Sequence, residues 1–272
     1  MHETSSANRC DPSDRRTWSI SARNLSRFVH FVRQAGVPNG ASRLLHQELK
    51  RSEVYPATNL EGLCKPIPPD VFVTYHSALP FAELEELVWK TCHFAAQQVS
   101  GAYDDLHVEE VMEHGIRFWI DFLFIDQNSR DIIAELDILP ALLETADVHI
   151  VLGSDALTRV WCCHEIALFN RHCATDGSAT SRVRSFIAPT TRPYMGWDHI
   201  EATNADDKRA IGEQISYDFP GGMDGFRRVM DEASASAVLS HTERNPSYPP
   251  AALEAIKGAA ERWFLRDVRD FM

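Results

Sequence analysis

Residues 149–169 read HIVLGSDALTRVWCCHEIALF, and the pattern of this stretch changes half-way along it. Together with Val148, its first part forms the run VHIVL, which is typical of a fully apolar strand covered on both faces. From Leu157 onward, apolar side chains recur three and four residues apart, which predicts a helix that ends near Cys173. A buried strand followed by such a helix is half of a βαβ unit and indicates an α/β fold.

The same alternation continues on both sides of this stretch. Further strands are predicted near residues 71–75, 116–124 and 183–188, with helices near 81–99 and 132–143 between them. Helices are also predicted at 206–215 and 225–238. Strands that alternate with helices favour a parallel sheet with helices on both faces.

The flanking segments differ from this central region. Residues 17–50 and 249–272 carry apolar stripes at helical spacing, whereas the prolines of CKPIPPD favour an extended linker over 51–69. We therefore expect three parts: a tail and helical extension over 1–65, an α/β domain over 66–220, and a helical segment over 221–272 that packs on the core.

Composition excludes several classes of protein. The chain has 272 residues, with 27 Lys and Arg against 39 Asp and Glu, which gives a net charge of −12. An acidic chain is not suited to coating nucleic acid or anionic lipid. The most apolar stretch, IRFWIDFLFI at 116–125, carries Arg117 and Asp121 and is about half the length of a membrane span. The polar N-terminus predicts no signal peptide, so we expect a cytoplasmic protein with reduced cysteines.

Polar side chains follow three of the predicted strands, where α/β sheets bind ligands. We take these as candidate binding residues: Tyr75, His76 and Ser77 after the first strand, Asp121 in the second, and Ser154 after the third. Solvated loops also explain polar strand ends. Asp121 is more informative, because a carboxylate within the run FWIDFLF needs a partner or a polar cavity.

One helical stripe carries the most unusual residue. Helical neighbours lie three and four apart, so Trp161, Cys162, Glu165 and Phe169 share one face. Glu165 is the charged member of that face, and if Phe169 faces the sheet, Glu165 does too. Such a carboxylate is desolvated unless a ligand or donor meets it. The alternative is a glutamate that reaches the helix edge or pairs with an arginine.

Other chemistries fit the sequence less well. Cysteines and histidines cluster at 162–173, but adjacent residues on one helix point about 100° apart and converge poorly on one zinc ion, so we expect no metal site. A Cys/His dyad would need a histidine from elsewhere. The sequence contains no GxGxxG, GxxxxGK[ST], HExxH or GxSxG motif.

Three motifs resemble one family. DVFVTYHS at 70–77, FWID at 118–121 and HIVLGSDALTRVWCCHEIALF at 149–169 resemble, in order and spacing, the first three strands and the W-C-x-x-E helix of Toll/interleukin-1 receptor (TIR) domains. The phrase FWIDFLFIDQ is also similar to the W-I-D-x-L-C-I-[ND]-Q motif of fungal heterokaryon-incompatibility (HET) domains, which are regarded as TIR-like.

The resemblance implies a flavodoxin-like fold and NAD+ glycohydrolase or cyclase activity in immunity or cell death. By position, Glu165 matches the catalytic glutamate of enzymatic TIR domains. NAD+ is then a substrate, no cofactor is needed, and self-association is expected. The candidate substrate-binding residues are Tyr75, His76, Ser77, Asp121, Ser154, Trp161 and Cys162.

Two alternatives stay open at this point. The chain could be a TIR-like interaction module without catalysis, in which Glu165 is structural, or another N-glycosidic enzyme such as a nucleoside transferase. A cleft that Glu165 shares with Tyr75 and Asp121 would favour an enzyme.

Overall fold

Six strands form one mixed sheet flanked by helices in the computed structural model. The structure describes residues 14–34, 64–75, 81–100, 108–109, 111–125, 134, 136–175, 185–187, 191–202 and 205–242. The strands are β1 (Ser19–Ser21), β2 (Cys64–Lys65), β3 (Val71–Tyr75), β4 (Arg117–Ile120), β5 (Val148–Leu152) and β6 (Phe186–Ile187). The α-helices are α1 (Ala22–Gln34), α2 (Phe81–Ser100), α3 (Asp121–Phe124), α4 (Leu139–Thr145), α5 (Val160–Thr175), α6 (Ala205–Asp218) and α7 (Gly222–Thr242).

The strand order is β2-β1-β4-β3-β5-β6. The four strands β4, β3, β5 and β6 run parallel, and their register places Phe72 of β3 opposite Trp119 of β4 and His149 of β5. The prediction of an α/β fold is confirmed, and the four predicted strands all belong to its parallel part. The expectation of a wholly parallel sheet is wrong at one edge, where β1 pairs antiparallel with both β4 and β2.

This antiparallel edge comes from a segment that the sequence predicts as helix. Ile20 is fully buried opposite Phe118, and the side chain of Arg117 holds the new strand in place. Its Nε donates to the hydroxyl of Ser19 over 2.7 Å, and its Nη2 donates to the carbonyl of Ser19 over 2.5 Å. Pairing with the exposed edge of β4 outweighs the helical pattern, which begins only at Ala22. The remainder of the predicted helical stretch, 35–50, lies outside the described residues.

The second predicted strand is shorter than expected. It ends at Ile120, and Asp121 begins the short helix α3, in which Ile125 N–H donates to the Asp121 carbonyl over 2.8 Å. Asp121 is therefore half-buried at the carboxyl end of β4, not inside a strand, where its carboxylate would need a partner within the sheet. The stretch 116–124 is therefore not one long strand, although most of its side chains are buried.

Helices α4, α6 and α7 pack around α5. The predicted helices at 206–215 and 225–238 are present and longer, as α6 and α7. A Cβ at Gly225 would lie 2.2 Å from the carbonyl oxygen of Pro220, so the close approach at the start of α7 requires glycine there. The helix predicted within 249–272 lies outside the described residues. No helix in the described ranges has the length and apolar character that a bilayer span requires.

Candidate functional site

Glu165 lies on the face of α5 that meets the sheet. Its side chain is buried, with 7 % of the residue exposed, and its Oε2 accepts a 2.5 Å hydrogen bond from the hydroxyl of Thr74 on β3. One turn further along α5, the ring of Phe169 packs 5.0 Å from that of His149 on β5. Glu165 and Phe169 thus share the sheet-facing stripe, as the helical spacing predicts. The Glu165 side chain therefore does not extend to the solvent-exposed edge of α5.

The surroundings of Glu165 favour its protonated form. Burial, and then the nearby carboxylate of Asp121, raise its pKa from an ordinary 4.5 to about 8, and the hydrogen bond from Thr74 opposes this rise. Asp121 reaches this position from α3, which begins at the carboxyl end of β4. Two carboxyl groups, one on α3 and one on α5, therefore lie near each other at the carboxyl ends of β4 and β3, where α/β sheets bind ligands. Such a pair attracts positive charge, because a cation nearby stabilises both ionised forms.

A chain of polar side chains continues behind Thr74. Its Oγ1 lies 2.7 Å from Nε2 of His149, and Nδ1 of His149 lies 2.7 Å from the hydroxyl of Ser185. The amide nitrogen of Asn170 on α5 donates to that hydroxyl over 2.9 Å. His149 is fully buried, and burial lowers its pKa to about 3, so its ring is neutral near pH 7.

Tyr75 and Cys162 are in contact, but through the backbone of Tyr75. The Cys162 thiol donates to the Tyr75 carbonyl over 3.5 Å. Successive strand side chains point to opposite faces, so the Tyr75 ring leaves β3 on the face opposite to Thr74. Burial, followed by the charge of Glu165, raises the pKa of the Cys162 thiol well above its usual value, which keeps it protonated and unsuited to nucleophilic attack.

The other predicted residues have separate surroundings. Trp161 is half-buried near the start of α5, and Ser154 is exposed, with its carbonyl accepting the N–H of Arg192 over 2.7 Å. A 3₁₀ turn at Ala156–Thr158 separates Ser154 from α5, so this helix begins at Val160 and not at Leu157 as the spacing predicts. His76 and Ser77 lie outside the described residues.

The sequence analysis did not select Thr74, which bonds to Glu165, or His149, which bonds to Thr74. The description of β5 as fully apolar is wrong at His149, which the register pairs with Phe72. The period of two places residues 72 and 74 on one face of β3 and residues 149 and 151 on one face of β5. The register between the strands, which the sequence does not supply, brings these two faces to the same side of the sheet.

Two further features bear on other chemistries. Within the described ranges, no group of three or more His, Cys, Asp or Glu side chains is arranged to hold a metal ion. A separate groove of about 620 Å³ lies along α6 and is lined by Trp197, Glu201, Ala202, Ala205, Lys208, Arg209 and Gly212. None of the predicted site residues lines this groove, and Lys208 within it already donates to the carbonyl of Ile200 over 2.6 Å.

No protein-family model, curated protein or solved structure matches this chain.

Proposed function

We propose that this protein is a TIR-like enzyme of flavodoxin-like fold that cleaves the nicotinamide–ribose bond of NAD+, with Glu165 as its catalytic residue. The observation that carries the proposal is the position of Glu165. It is a desolvated carboxyl group on the helix that follows β5, beside Asp121 and bonded to Thr74. The parallel order β4-β3-β5-β6 supports the flavodoxin-like assignment.

The reaction suits a single carboxylate. The nicotinamide ring is cationic in NAD+ and leaves as a neutral molecule, so no general acid is needed. The ribose passes through an oxocarbenium-like state, as in glycoside hydrolysis. A preorganised carboxylate in a site with little water stabilises the positive charge that develops on the sugar. Water or another part of the substrate then completes the transfer.

The raised pKa of Glu165 fits a cationic substrate. In the free protein at neutral pH the group is mostly protonated, because its pKa is about 8. A positive charge brought beside it favours the ionised form, so binding of NAD+ releases a proton. The cost of that deprotonation weakens the binding of NAD+, and the resulting carboxylate is already in place when positive charge develops on the ribose.

The remaining candidates have supporting parts in this proposal. Asp121 adds negative charge near Glu165 and contributes to the attraction of the cationic ring. Trp161, half-buried near the start of α5, offers an aromatic face on which a base can stack, whereas the ring of Tyr75 lies on the other face of β3. We place the enzyme in the cytoplasm, and the described cysteines, Cys64, Cys92, Cys162 and Cys163, are free thiols. Self-association, as an immune or cell-death effector, would regulate it.

The test is incubation of the purified chain with NAD+ and measurement of nicotinamide release at several protein concentrations. Release that increases more steeply than protein concentration supports both cleavage and activation by assembly. No release at any concentration contradicts the proposal and favours a TIR-like interaction module. Release of base from other nucleosides, but not from NAD+, favours a different N-glycosidic enzyme.

A further inference from the structure

The polar chain behind Glu165 ends at a residue whose orientation is fixed. Asn170 lies with one amide atom 2.7 Å from the carbonyl oxygen of Ile166 and 2.9 Å from the Ser185 hydroxyl. A carbonyl oxygen only accepts hydrogen bonds, so this amide atom is the nitrogen, and its second proton points to Ser185. The hydroxyl oxygen of Ser185 therefore acts as an acceptor towards Asn170.

The proton of Ser185 then determines the state of His149. With its oxygen accepting from Asn170, Ser185 has its own proton to donate, and Nδ1 of His149 lies 2.7 Å away. Nδ1 accepts this proton only if it carries none itself. A neutral imidazole holds one proton, so it must then lie on Nε2. In the Nδ1–H tautomer, the Ser185 oxygen would accept from both Asn170 and His149. The Ser185 hydroxyl proton could then no longer bond to Nδ1 of His149.

Nε2 of His149 faces Thr74, and the same reasoning continues. The Nε2–H donates to the Thr74 hydroxyl oxygen over 2.7 Å, which leaves the single hydroxyl proton of Thr74 for Glu165 at 2.5 Å. Every donor in the chain then has an acceptor, and the last acceptor is the carboxylate. Two aromatic rings restrict rotation of the His149 ring. The Phe72 ring contacts it edge-on with 5.4 Å between ring centroids, and the tilted Phe169 ring lies at a centroid distance of 5.0 Å.

We propose that His149 is a positioning residue for Glu165: its Nε2–H tautomer, fixed from behind by Ser185 and Asn170, makes Thr74 donate its proton to the carboxylate. This hydrogen-bond arrangement rests on the proposed function only in its effect on catalysis. Its direct effect is to stabilise the ionised form of Glu165 against the charge of Asp121 from α3 and against burial. The Cys162 thiol, one turn earlier on α5, bonds elsewhere and stays neutral.

The tautomer can be measured directly. Long-range proton–nitrogen correlation spectra of the full chain, labelled with 15N-histidine, report which ring nitrogen carries the proton. The resonance of His149 is the one that the His149→Phe variant loses. We expect a neutral Nε2–H ring above the pKa of Glu165. An Nδ1–H ring under those conditions overturns the proposal.

The effect on Glu165 is tested through its pKa, measured from the carboxyl carbon resonance that Glu165→Gln removes. His149→Phe keeps a ring between Phe72 and Phe169 but removes the Nε2–H that donates to Thr74, so the bond from Thr74 to the carboxylate weakens and the pKa of Glu165 should rise by about one unit. The matched control is His164→Phe, since His164 is also a buried histidine but bonds to Asp218 instead. The control should leave the pKa of Glu165 unchanged.

The outcomes separate this proposal from the proposed function. A rise in the pKa of Glu165 in His149→Phe, without any NAD+ cleavage by the wild type, supports the positioning role of His149 and contradicts the proposed enzymatic function. If the wild type cleaves NAD+ and the pKa of Glu165 is unchanged in His149→Phe, only the positioning role of His149 is contradicted. If His149→Phe does not fold, Ser185→Ala removes the donor to Nδ1 and should raise the pKa of Glu165 in the same direction. An unchanged pKa in folded Ser185→Ala then overturns the proposal.

Discussion

The hydroxyl oxygen of Thr74 lies 2.5 Å from the carboxyl oxygen of Glu165, and this contact joins the central strand β3 to helix α5. Both residues are buried, with 1 % and 7 % exposed. A hydroxyl that donates to a carboxylate stabilises the ionised form, whereas burial and Asp121 stabilise the protonated form. The charge state of Glu165 is therefore set by a balance of local contacts, each of which can be removed by mutation.

Thr74→Val tests this balance. Valine has the same shape and suits a strand, but it removes the donor, so the pKa of Glu165 should rise above 8 by about one to two units. NAD+ cleavage near neutral pH should fall by about tenfold or more, as fewer molecules hold the carboxylate. Carboxyl carbon titration and initial rates across pH measure the two effects. Thr91→Val is the control, because the buried hydroxyl of Thr91 bonds to Leu87 within its own helix. Equal pKa shifts in both variants would show that the contact with Glu165 is not the cause.

The raised pKa of Glu165 makes a prediction about stability. The folded chain keeps this proton up to about pH 8, while the unfolded chain releases it near 4.5, so the folded state binds more protons between these values. Its contribution to the free energy of unfolding is therefore fully present below 4.5 and is lost as pH rises to 8.

Glu165→Gln removes this titration. Relative to the wild type, the variant should become more stable as pH rises from about 5 to about 8.5, with about 2–4 °C of melting temperature for each kcal/mol. Thermal unfolding of both proteins at several pH values measures the difference. Melting temperatures that run parallel across this range would mean that Glu165 has an ordinary pKa.

Arg117 is expected to hold the antiparallel edge of the sheet. It is buried, with 6 % exposed, and donates to both the hydroxyl and the carbonyl of Ser19. Arg117→Met keeps much of the side-chain volume but leaves the carbonyl without this donor, so it should cost about 2–4 kcal/mol of unfolding free energy. Arg209→Met is the control, since Arg209 makes an exposed pair with Asp206 and should change stability by about 0.5 kcal/mol or less. Equal losses in chemical denaturation would argue against a role for Arg117.

Asp218 ties α6 to α5. Its Oδ2 lies 3.2 Å from Nε2 of His164, and its Oδ1 accepts from Gln214 over 3.2 Å. Burial raises the pKa of Asp218, but the hydrogen bonds of His164 and Gln214 and the charges of His164 and Arg171 together hold the pKa below its usual value. This contribution to stability is present above the unfolded pKa and is lost as pH falls through the folded one. Asp218→Asn should therefore cost about 1 kcal/mol near pH 7 and progressively less below about pH 4, by urea unfolding. A loss that does not depend on pH would contradict this.

The parallel part of the fold could be predicted because its strands are short apolar runs with helical periodicity between them. The edge strand could not, since Ser19–Ser21 has little strand character of its own and is formed by pairing with β4 and by Arg117. The end of β4 at Ile120 was also missed. An apolar run buried in either conformation shows no change of period where strand becomes helix.

The orientation of Glu165 could be predicted from helical spacing alone, because Phe169 and Glu165 lie four residues apart on one face. Its partners could not be predicted from the strand ends. Polar residues at strand ends drew the prediction towards Tyr75, whereas alternation along β3 directs Thr74, not Tyr75, to α5. Ser185 and Asn170 join through tertiary contacts between α5 and the start of β6, which no local pattern in the sequence encodes.

The most direct test of the central claim is NAD+ cleavage by the wild type and by Glu165→Gln, each corrected for the fraction of folded protein. Glutamine keeps the shape of the side chain and an acceptor for Thr74 but cannot hold negative charge against the ribose. We predict that the wild type releases nicotinamide and that the variant loses about 10²–10³-fold, mainly in kcat. Equal rates per folded molecule would contradict the role of Glu165 in catalysis.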